Sequence, residues 1–424
     1  MARPEFTRWL VLSALLAALS GCAAAQQPTP PPPTAPPPPR PEPAVPAPPV
    51  VPVRVAPTRP TVSKLWPVTS LHGADYIDVR DIARSFGLKA IWTKSELAMA
   101  LEDKAGRHFI FEAKQRDFYF EGLRIFLGEP VLRATDSLWL SKVDVIKIVA
   151  PLFRPADHAA MLPAATPRLI MLDPGHGGND PGKENKTLGV NEKTFTLDVA
   201  LRLKKLLEIQ GWRVLLTRSD DHELSPAKKT DLQMRDDLAN KNKVDLFLSI
   251  HFNSVEKDSE RVTGVETYAM TPQFMFSSNE EKKGDMTDVA YPGNRLDYAN
   301  LLLGERIHRA MIAALKTPDR GLKHARHAVL RMLDSPGVLV ECAYLSSNTE
   351  ARRVSTAEYR QKIAEALADG LQNYSLALDS LHPKPVPPAV SAPVAPPAKE
   401  AVSVSTRGRP RPRQSAVRRG RSAT

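Results

Sequence analysis

Cysteine is almost missing from this chain: two among 424 residues, Cys22 and Cys342. Cys22 closes an N-terminal apolar run, which leaves Cys342 alone in the body of the protein. No intramolecular disulfide can then form there, and stability has to come from packing. No cysteine joins His72, His108 and His158, which are far apart, so they suggest no metal-ligand cluster and no copper. There is no His-Glu-x-x-His motif, so a metal held by this chain cannot take two ligands from one helix and must gather them from separate elements. The apolar run Trp9–Leu19 is too short to span a bilayer as a helix. No short internal repeat is evident.

Net charge is small where folding would occur. The net charge is +11, yet residues 382–424 carry nine lysines and arginines against the single Glu400. The folded part is therefore close to neutral, and the basic pI describes a tail that can touch polyanions such as wall polymers or anionic lipid. Arg407-Gly408-Arg409-Pro410 is like a minor-groove DNA hook, but the N-terminus argues for export and no nucleic-acid partner is expected. Proline is abundant, 40 residues crowded towards both ends. Residues 23–61 read as a Pro/Ala/Val-rich, semi-rigid linker and 377–424 as a disordered Pro-rich basic tail.

Residues 1–22 read as an export signal, with Arg3 and Arg8 before the apolar run. Leu19-Ser20-Gly21-Cys22 resembles a bacterial lipobox, which implies lipidation at Cys22 and a membrane partner through that lipid anchor; the alternative is an ordinary cleavable signal. Ala23 lacks the Asp associated with inner-membrane retention. The expected location is the outer membrane facing the periplasm, with the outer face of the cytoplasmic membrane as the alternative.

Two regions look folded. Residues 62–165 read as a small α+β domain, with a strand at Tyr76–Val79, a short helix ended by Gly87, strands near 88–92, 97–101 and 109–113, a hairpin turning at Glu121-Gly122, and a closing helix over 141–149. The order YIDVRDIARSFGLKAIW followed by FYFEGLRIFLGEPVLRATDSLWLS is similar to the module named after the N-terminal domain of copper amine oxidases. A spacer and a wall-binding role are equally open for it.

Residues 166–376 alternate strand and helix patterns. Strand-like runs are Leu169–Leu172, Trp212–Thr217, Leu246–His251, Val262–Met270, Val329–Met332 and Val338–Leu345. Asn191 can cap a helix over 192–209 that presents Phe195, Val199, Leu203 and Leu206 on one face, with Gly211 ending it. Further helices fall near 232–242, 296–315 and 359–374. The expected fold is α/β, a mostly parallel six-stranded sheet with helices on both faces, preceded by the small α+β domain. Residues 271–294 are polar and aperiodic and read as a loop too short and too polar to plug a site, which predicts weak gating or none.

Four residues stand where chemistry can converge. His176 follows the first strand among glycines, Glu192 opens the first helix, His251 ends a strand, and Glu341 interrupts the apolar run Val338-Leu339-Val340. A buried glutamate is costly unless paired or bound. Two histidines and a glutamate are a recognised set for a catalytic zinc with one position left for water.

These residues lie in ordered motifs: Asp173-Pro174-Gly175-His176-Gly177-Gly178, Glu192-Lys193, Thr217-Arg218-Ser219-Asp220-Asp221, Ser249-Ile250-His251-Phe252-Asn253, and Pro336-Gly337-Val338-Leu339-Val340-Glu341. From Leu169 to Tyr374 the chain resembles the zinc-dependent N-acetylmuramoyl-L-alanine amidase catalytic domain of cell-separation and sporulation autolysins. The resemblance implies Zn2+ held by His176, Glu192 and His251, and Glu341 as catalytic carboxylate. It implies hydrolysis of the amide between N-acetylmuramic acid and L-alanine in peptidoglycan, for wall remodelling or cell separation. Asn253 and Arg331 are candidates for positioning substrate, and Arg218 and Arg235 for structural ion pairs. Cys342 stands where the family has glycine and reads as a buried core thiol. Peptidoglycan is the expected partner, and a regulatory protein activator is left open. The competing readings are a catalytically silent peptidoglycan-binding lipoprotein and a zinc peptidase cutting within the stem peptide.

Overall fold

The computed structural model describes residues 66–93, 97–106, 108–134, 136–278 and 285–382. The export signal, Cys22, the linker up to 61 and the tail from 383 lie outside the described residues, whereas residues 377–381, expected in the disordered tail, finish the last helix. No helix among the described residues is long and apolar enough to cross a membrane.

The N-terminal part contains β1 (Thr69–Leu71), β2 (Ala74–Asp78), α1 (Val79–Phe86), β3 (Lys89–Trp92), β4 (Ala98–Glu102), β5 (His108–Glu112), β6 (Asp117–Phe120), β7 (Leu123–Phe126), β8 (Leu132–Ala134) and β9 (Ser137–Ser141). Helix α1 forms as its ends dictate. The Asp78 side chain accepts from Arg80 N at 2.7 Å, and Gly87 leaves the helix at φ 72°. Its Val79, Ile82, Ala83 and Phe86 are buried. The hairpin β6–β7 turns at Glu121-Gly122, both at positive φ (49° and 77°), as a two-residue turn matching strand twist requires. Strands β3 to β7 form an antiparallel meander. Its inner face is aromatic: Phe109 stacks on Phe120 at 4.9 Å, and Phe111 on Phe118 at 5.0 Å. The closing helix is irregular: α2 (Lys142–Asp144) widens into a π-turn over Val145–Val149 before α3 (Ala150–Phe153). Pro151 has no N–H to donate there, which breaks the regular ladder.

The second part contains β10 (Leu169–Pro174), β11 (Glu184–Asn185), β12 (Val190–Asn191), α4 (Glu192–Ile209), β13 (Arg213–Leu216), α5 (Lys228–Lys241), β14 (Leu246–Asn253), β15 (Val265–Met270), α6 (Asp297–Leu315), β16 (Asp319–Ala325), α7 (Ala328–Arg331), β17 (Gly337–Tyr344), α8 (Asn348–Ser355) and α9 (Ala357–Leu381). Alternate strand residues go to opposite cores. Ile170, Leu172, Leu248, Ile250, Val338 and Val340 join the core with α4, α6 and α9. Met171, Phe247, Tyr268 and Leu339 join a second core under α5 and α7. Both faces are covered, which is why these strands read as continuous apolar runs.

The α/β class holds, and the sheet differs from the one expected. Its order is β13-β10-β14-β17-β15-β16-β7-β6-β5-β4-β3, eleven strands. Strand β15 runs antiparallel to β17, and β16 parallel to β15, so these two oppose β13, β10, β14 and β17, the other four strands that the second part gives this sheet. Val329–Met332, expected as a strand, is instead the short helix α7, and the missing strand is β16. β16 escaped notice because Gly321 (φ 99°) sits at an irregularity opposite Glu266, breaking the two-residue period. Leu322 of β16 pairs in parallel with Ile125 of β7, so one sheet runs through both folded regions. Arg124 N donating to Asp319 Oδ2 (2.9 Å) and the Lys147–Asp297 pair (2.9 Å) reinforce the join. The described part of 271–294 is held along it, with Arg116 donating to Ser277 O and Arg326 to Met275 O and Ser277 Oγ.

Candidate metal centre

Strand β10 delivers Asp173 and Pro174 to the carboxyl edge of the sheet, where open α/β folds place their sites. Asp173 is fully buried. Its carboxylate accepts from Thr217 Oγ1 (2.7 Å), Ser249 Oγ (2.7 Å) and Arg235 Nη1 (2.8 Å). Arg235 also donates to the carbonyls of Pro174 and His176 and pairs with Asp231. Arg218, expected in an ion pair, makes none among the described residues. It donates instead to the carbonyls of Pro174, Gly175, Lys193 and Asp220. A planar five-donor cation suits such a cage of carbonyls. The two arginines thus fix the loop that carries His176.

That loop needs its glycines. His176 itself lies at φ 64°. A Cβ on Gly175 would fall 2.2 Å from His251 Cε1, so only glycine lets the loop approach that ring.

His176, Glu192 and His251 converge. One ligating atom from each lies within 4.8 Å of the others. Glu192 is the first residue of α4, behind the Asn191 cap whose side chain accepts from Thr194 N. Its Oε2 is 3.0 Å from His176 Nε2 and its Oε1 is 2.9 Å from His251 Nδ1. Two backbone N–H groups, of Lys183 and Phe252, donate to the same carboxylate. Burial works against the Glu192 charge, but the two histidines outweigh it and hold the carboxyl well below its usual range. Burial likewise lowers His176, and Glu192 and Asp180 overcome this and raise it. Asp180 Oδ2 lies 3.0 Å from His176 Nδ1, which leaves Nε2 to face the cluster. This is the orienting carboxylate that ligand histidines commonly use. Asp180 had no assigned role in the sequence, although it stands four residues after His176 in the same motif.

Glu341 of β17 is the register partner of His251 on β14 and of Glu266 on β15. The three side chains therefore share one face of the sheet. Glu341 Oε2 is buried with no hydrogen-bond partner. Burial, then the charges of Glu192 and Glu266, push its carboxyl well up. Glu266 was not singled out in the sequence. It accepts from Lys323 Nζ (2.7 Å), Tyr268 OH (2.6 Å), Tyr344 OH and Asn253 Nδ2 (3.0 Å). Asn253 thus joins the row through Glu266, whereas Arg331 lies over the Tyr291 ring at 5.5 Å. Cys342 is fully buried and its thiol is pushed well up, by burial first. A cavity of about 250 Å³ opens beside His176 and His251, bordered by Asp180, Glu223, Lys228 and Val329.

The N-acetylmuramoyl-L-alanine amidase family model matches residues 170–373, the span that carries all four of these residues. Protein YqiI of Bacillus subtilis is 30% identical over 207 residues, covering 49% of this chain and 84% of its own. The chain belongs to the N-acetylmuramoyl-L-alanine amidase family. The probable N-acetylmuramoyl-L-alanine amidase AmiB of Haemophilus influenzae is 31% identical over 236 residues, 49% of this chain and 52% of that protein. Among solved structures, the amidase AmiC2 of Nostoc punctiforme is 30% identical, covering 49% of this chain and 96% of that one, with a TM-score of 0.39. The first three curated relatives are matched over 35% to 62% of their own lengths.

Proposed function

We propose that this amidase-family protein hydrolyses the amide between N-acetylmuramic acid and L-alanine in peptidoglycan, with zinc at His176, Glu192 and His251. The observation that carries the reading is Glu341: a half-buried glutamate whose buried Oε2 has no hydrogen-bond partner, in register beside His251. The donor set fits the ion, since two imidazole nitrogens and a carboxylate oxygen within 4.8 Å of one another, the histidine held by Asp180, are zinc chemistry. Zinc bound there supplies Lewis acidity to the scissile carbonyl and lowers the pKa of water to about 7. Glu341 takes the proton of the attacking water and delivers it to the departing nitrogen of L-alanine. Glu266, held by four donors, fixes a negative charge next to Glu341 and keeps it ready to accept and return that proton.

The leader and Leu19-Ser20-Gly21-Cys22 support a lipid-anchored protein on the outer membrane facing the periplasm, with residues 23–61 as tether. The α+β make-up of the N-terminal part supports its reading as a copper amine oxidase N-terminal-like module.

Digestion of purified peptidoglycan by the full chain tests the activity. Expected is release of stem peptides with an L-alanine amino end, lost with chelator and restored by zinc. Cuts only within the peptide support the peptidase reading, and binding without cleavage the silent one. Glu341→Gln should lower turnover by about 10²-fold or more while zinc content stays unchanged.

A further inference from the structure

Beyond Glu266 the catalytic row meets three cations. Lys323 and Arg320 come from β16, and Arg124 from β7 of the N-terminal part. They gather because β16 pairs with β7, Leu322 opposite Ile125. Each stands against an aromatic face: Arg320 over Tyr344 (5.6 Å), Arg124 over Phe126 (4.9 Å), and Lys323 between Phe126 (5.2 Å) and Tyr268 (5.7 Å). Such stacking holds cations in fixed positions.

Two carboxylates serve these three cations on this face. Asp117 binds Arg124, and Glu266 binds Lys323. Asp319 is engaged by His308 Nε2 (2.8 Å), which α6 brings to the opposite face. Arg320 shares Glu266 with Lys323. Its closest approach to Glu266 is 3.5 Å, from an Nε with no hydrogen-bond partner, and its side chain is 36% exposed. The Lys323 ammonium is pushed down by burial and further by Arg320 and Arg124, which marks the crowding of positive charge.

The geometry points to a carboxylate-binding subsite made by Arg320 and Arg124, with Lys323 behind them, that receives the acidic residue following L-alanine in the stem peptide. The inference rests on the hydrolytic reading above and deepens it. Two strand spacings, about 10 Å, separate the Glu341 strand from β16. The α-carboxyl of the residue after L-alanine lies up to about 7 Å along an extended peptide from the scissile nitrogen, and a long arginine side chain closes the difference. An anionic group there balances the excess positive charge of three cations that share Asp117 and Glu266, and a planar guanidinium suits a carboxylate. Because Arg124 belongs to the N-terminal part, that part contributes to substrate choice as well as to the sheet.

The test uses two N-acetylmuramoyl tripeptide amides that differ only at the D-glutamate α-position, carboxylate against carboxamide. The wild-type protein should show a KM about tenfold lower for the carboxylate, roughly 1.4 kcal/mol. Arg320→Gln and Arg124→Gln should raise that KM to the carboxamide value with kcat within about twofold, and Arg320→Lys should keep part of the preference. Binding of the same pair to metal-free protein by calorimetry gives a readout independent of turnover, and circular dichroism verifies folding. Equal KM values for both compounds in wild type and variants would overturn the subsite while leaving the hydrolytic reading intact. A carboxylate preference in binding, lost in Arg320→Gln, without cleavage of either compound would uphold the subsite and overturn the hydrolytic reading.

Discussion

Asp173 shows how much of this site is decided by single side chains. It is the buried counter-charge beneath the His176 loop, tied to Arg235 at 2.8 Å. Removing one member of a buried pair strands the other charge, at a cost of about 3–5 kcal/mol. Asp173→Asn is therefore expected to lower unfolding free energy in urea by about that amount. Burial alone would raise the Asp173 pKa, but Arg235, Thr217 and Ser249 bring it below the ordinary carboxylate value. A depressed folded pKa stabilises fully above the unfolded value, about 3.9, and the stabilisation is lost as pH falls through the lower folded one. The wild type should thus lose more stability than Asp173→Asn below about pH 4, as denaturation at several pH values would reveal. Asp180 acts one contact further out. Its pKa is lowered to about 2: burial opposes the shift, and the bond to His176 drives it. Asp180→Ala should weaken zinc binding by about 10–100-fold in a chelator competition without unfolding the chain.

At the scale of elements, the site depends on where strands and helices end. The β10–α4 connection must place His176 and Glu192 together, and it does so through a loop in which Gly175 abuts the His251 ring. Gly175→Ala should displace His251, so that zinc content after dialysis drops while the helical signal persists. Helix α4 begins at Glu192, the proposed metal ligand, because Asn191 caps it. Asn191→Ala should cost about 1 kcal/mol in thermal or urea unfolding. The antiparallel seam between β17 and β15 has a chemical consequence as well. It sets Glu266 opposite Glu341, and so supplies the second negative charge that keeps Glu341 protonatable.

Across the whole molecule the decisive feature is the join at β16 and β7. A sheet shared by two regions couples their stability, since neither edge strand is satisfied alone. Calorimetry of the full chain should show one transition for the two regions, not two. Removing residues up to 165 would expose the β16 edge and Leu322, which is fully buried. The truncated chain is expected to unfold at lower temperature and to aggregate. Two separated transitions, or an undisturbed truncated protein, would show the join to be weak.

The sequence by itself determined the local structure and the identity of the candidate reactive groups. Helix α4 was readable from its cap and its 3–4 spacing, and the β6–β7 turn from Glu121-Gly122, because caps and turns are short-range. His176, Glu192, His251 and Glu341 stood out because polar residues at the ends of apolar strands demand partners. Tertiary structure decided what those partners are. Strand register made Glu266 and Lys323 neighbours of Glu341, and the fold of the loop after β10 made Asp180 the support of His176. It made α7 from an apolar run that resembled a strand and β16 from a run broken by Gly321. It also fused two regions, each with a coherent pattern of its own, into one sheet. Hydrogen bonds between distant strands leave no periodicity in either segment, so the join is written only in three dimensions.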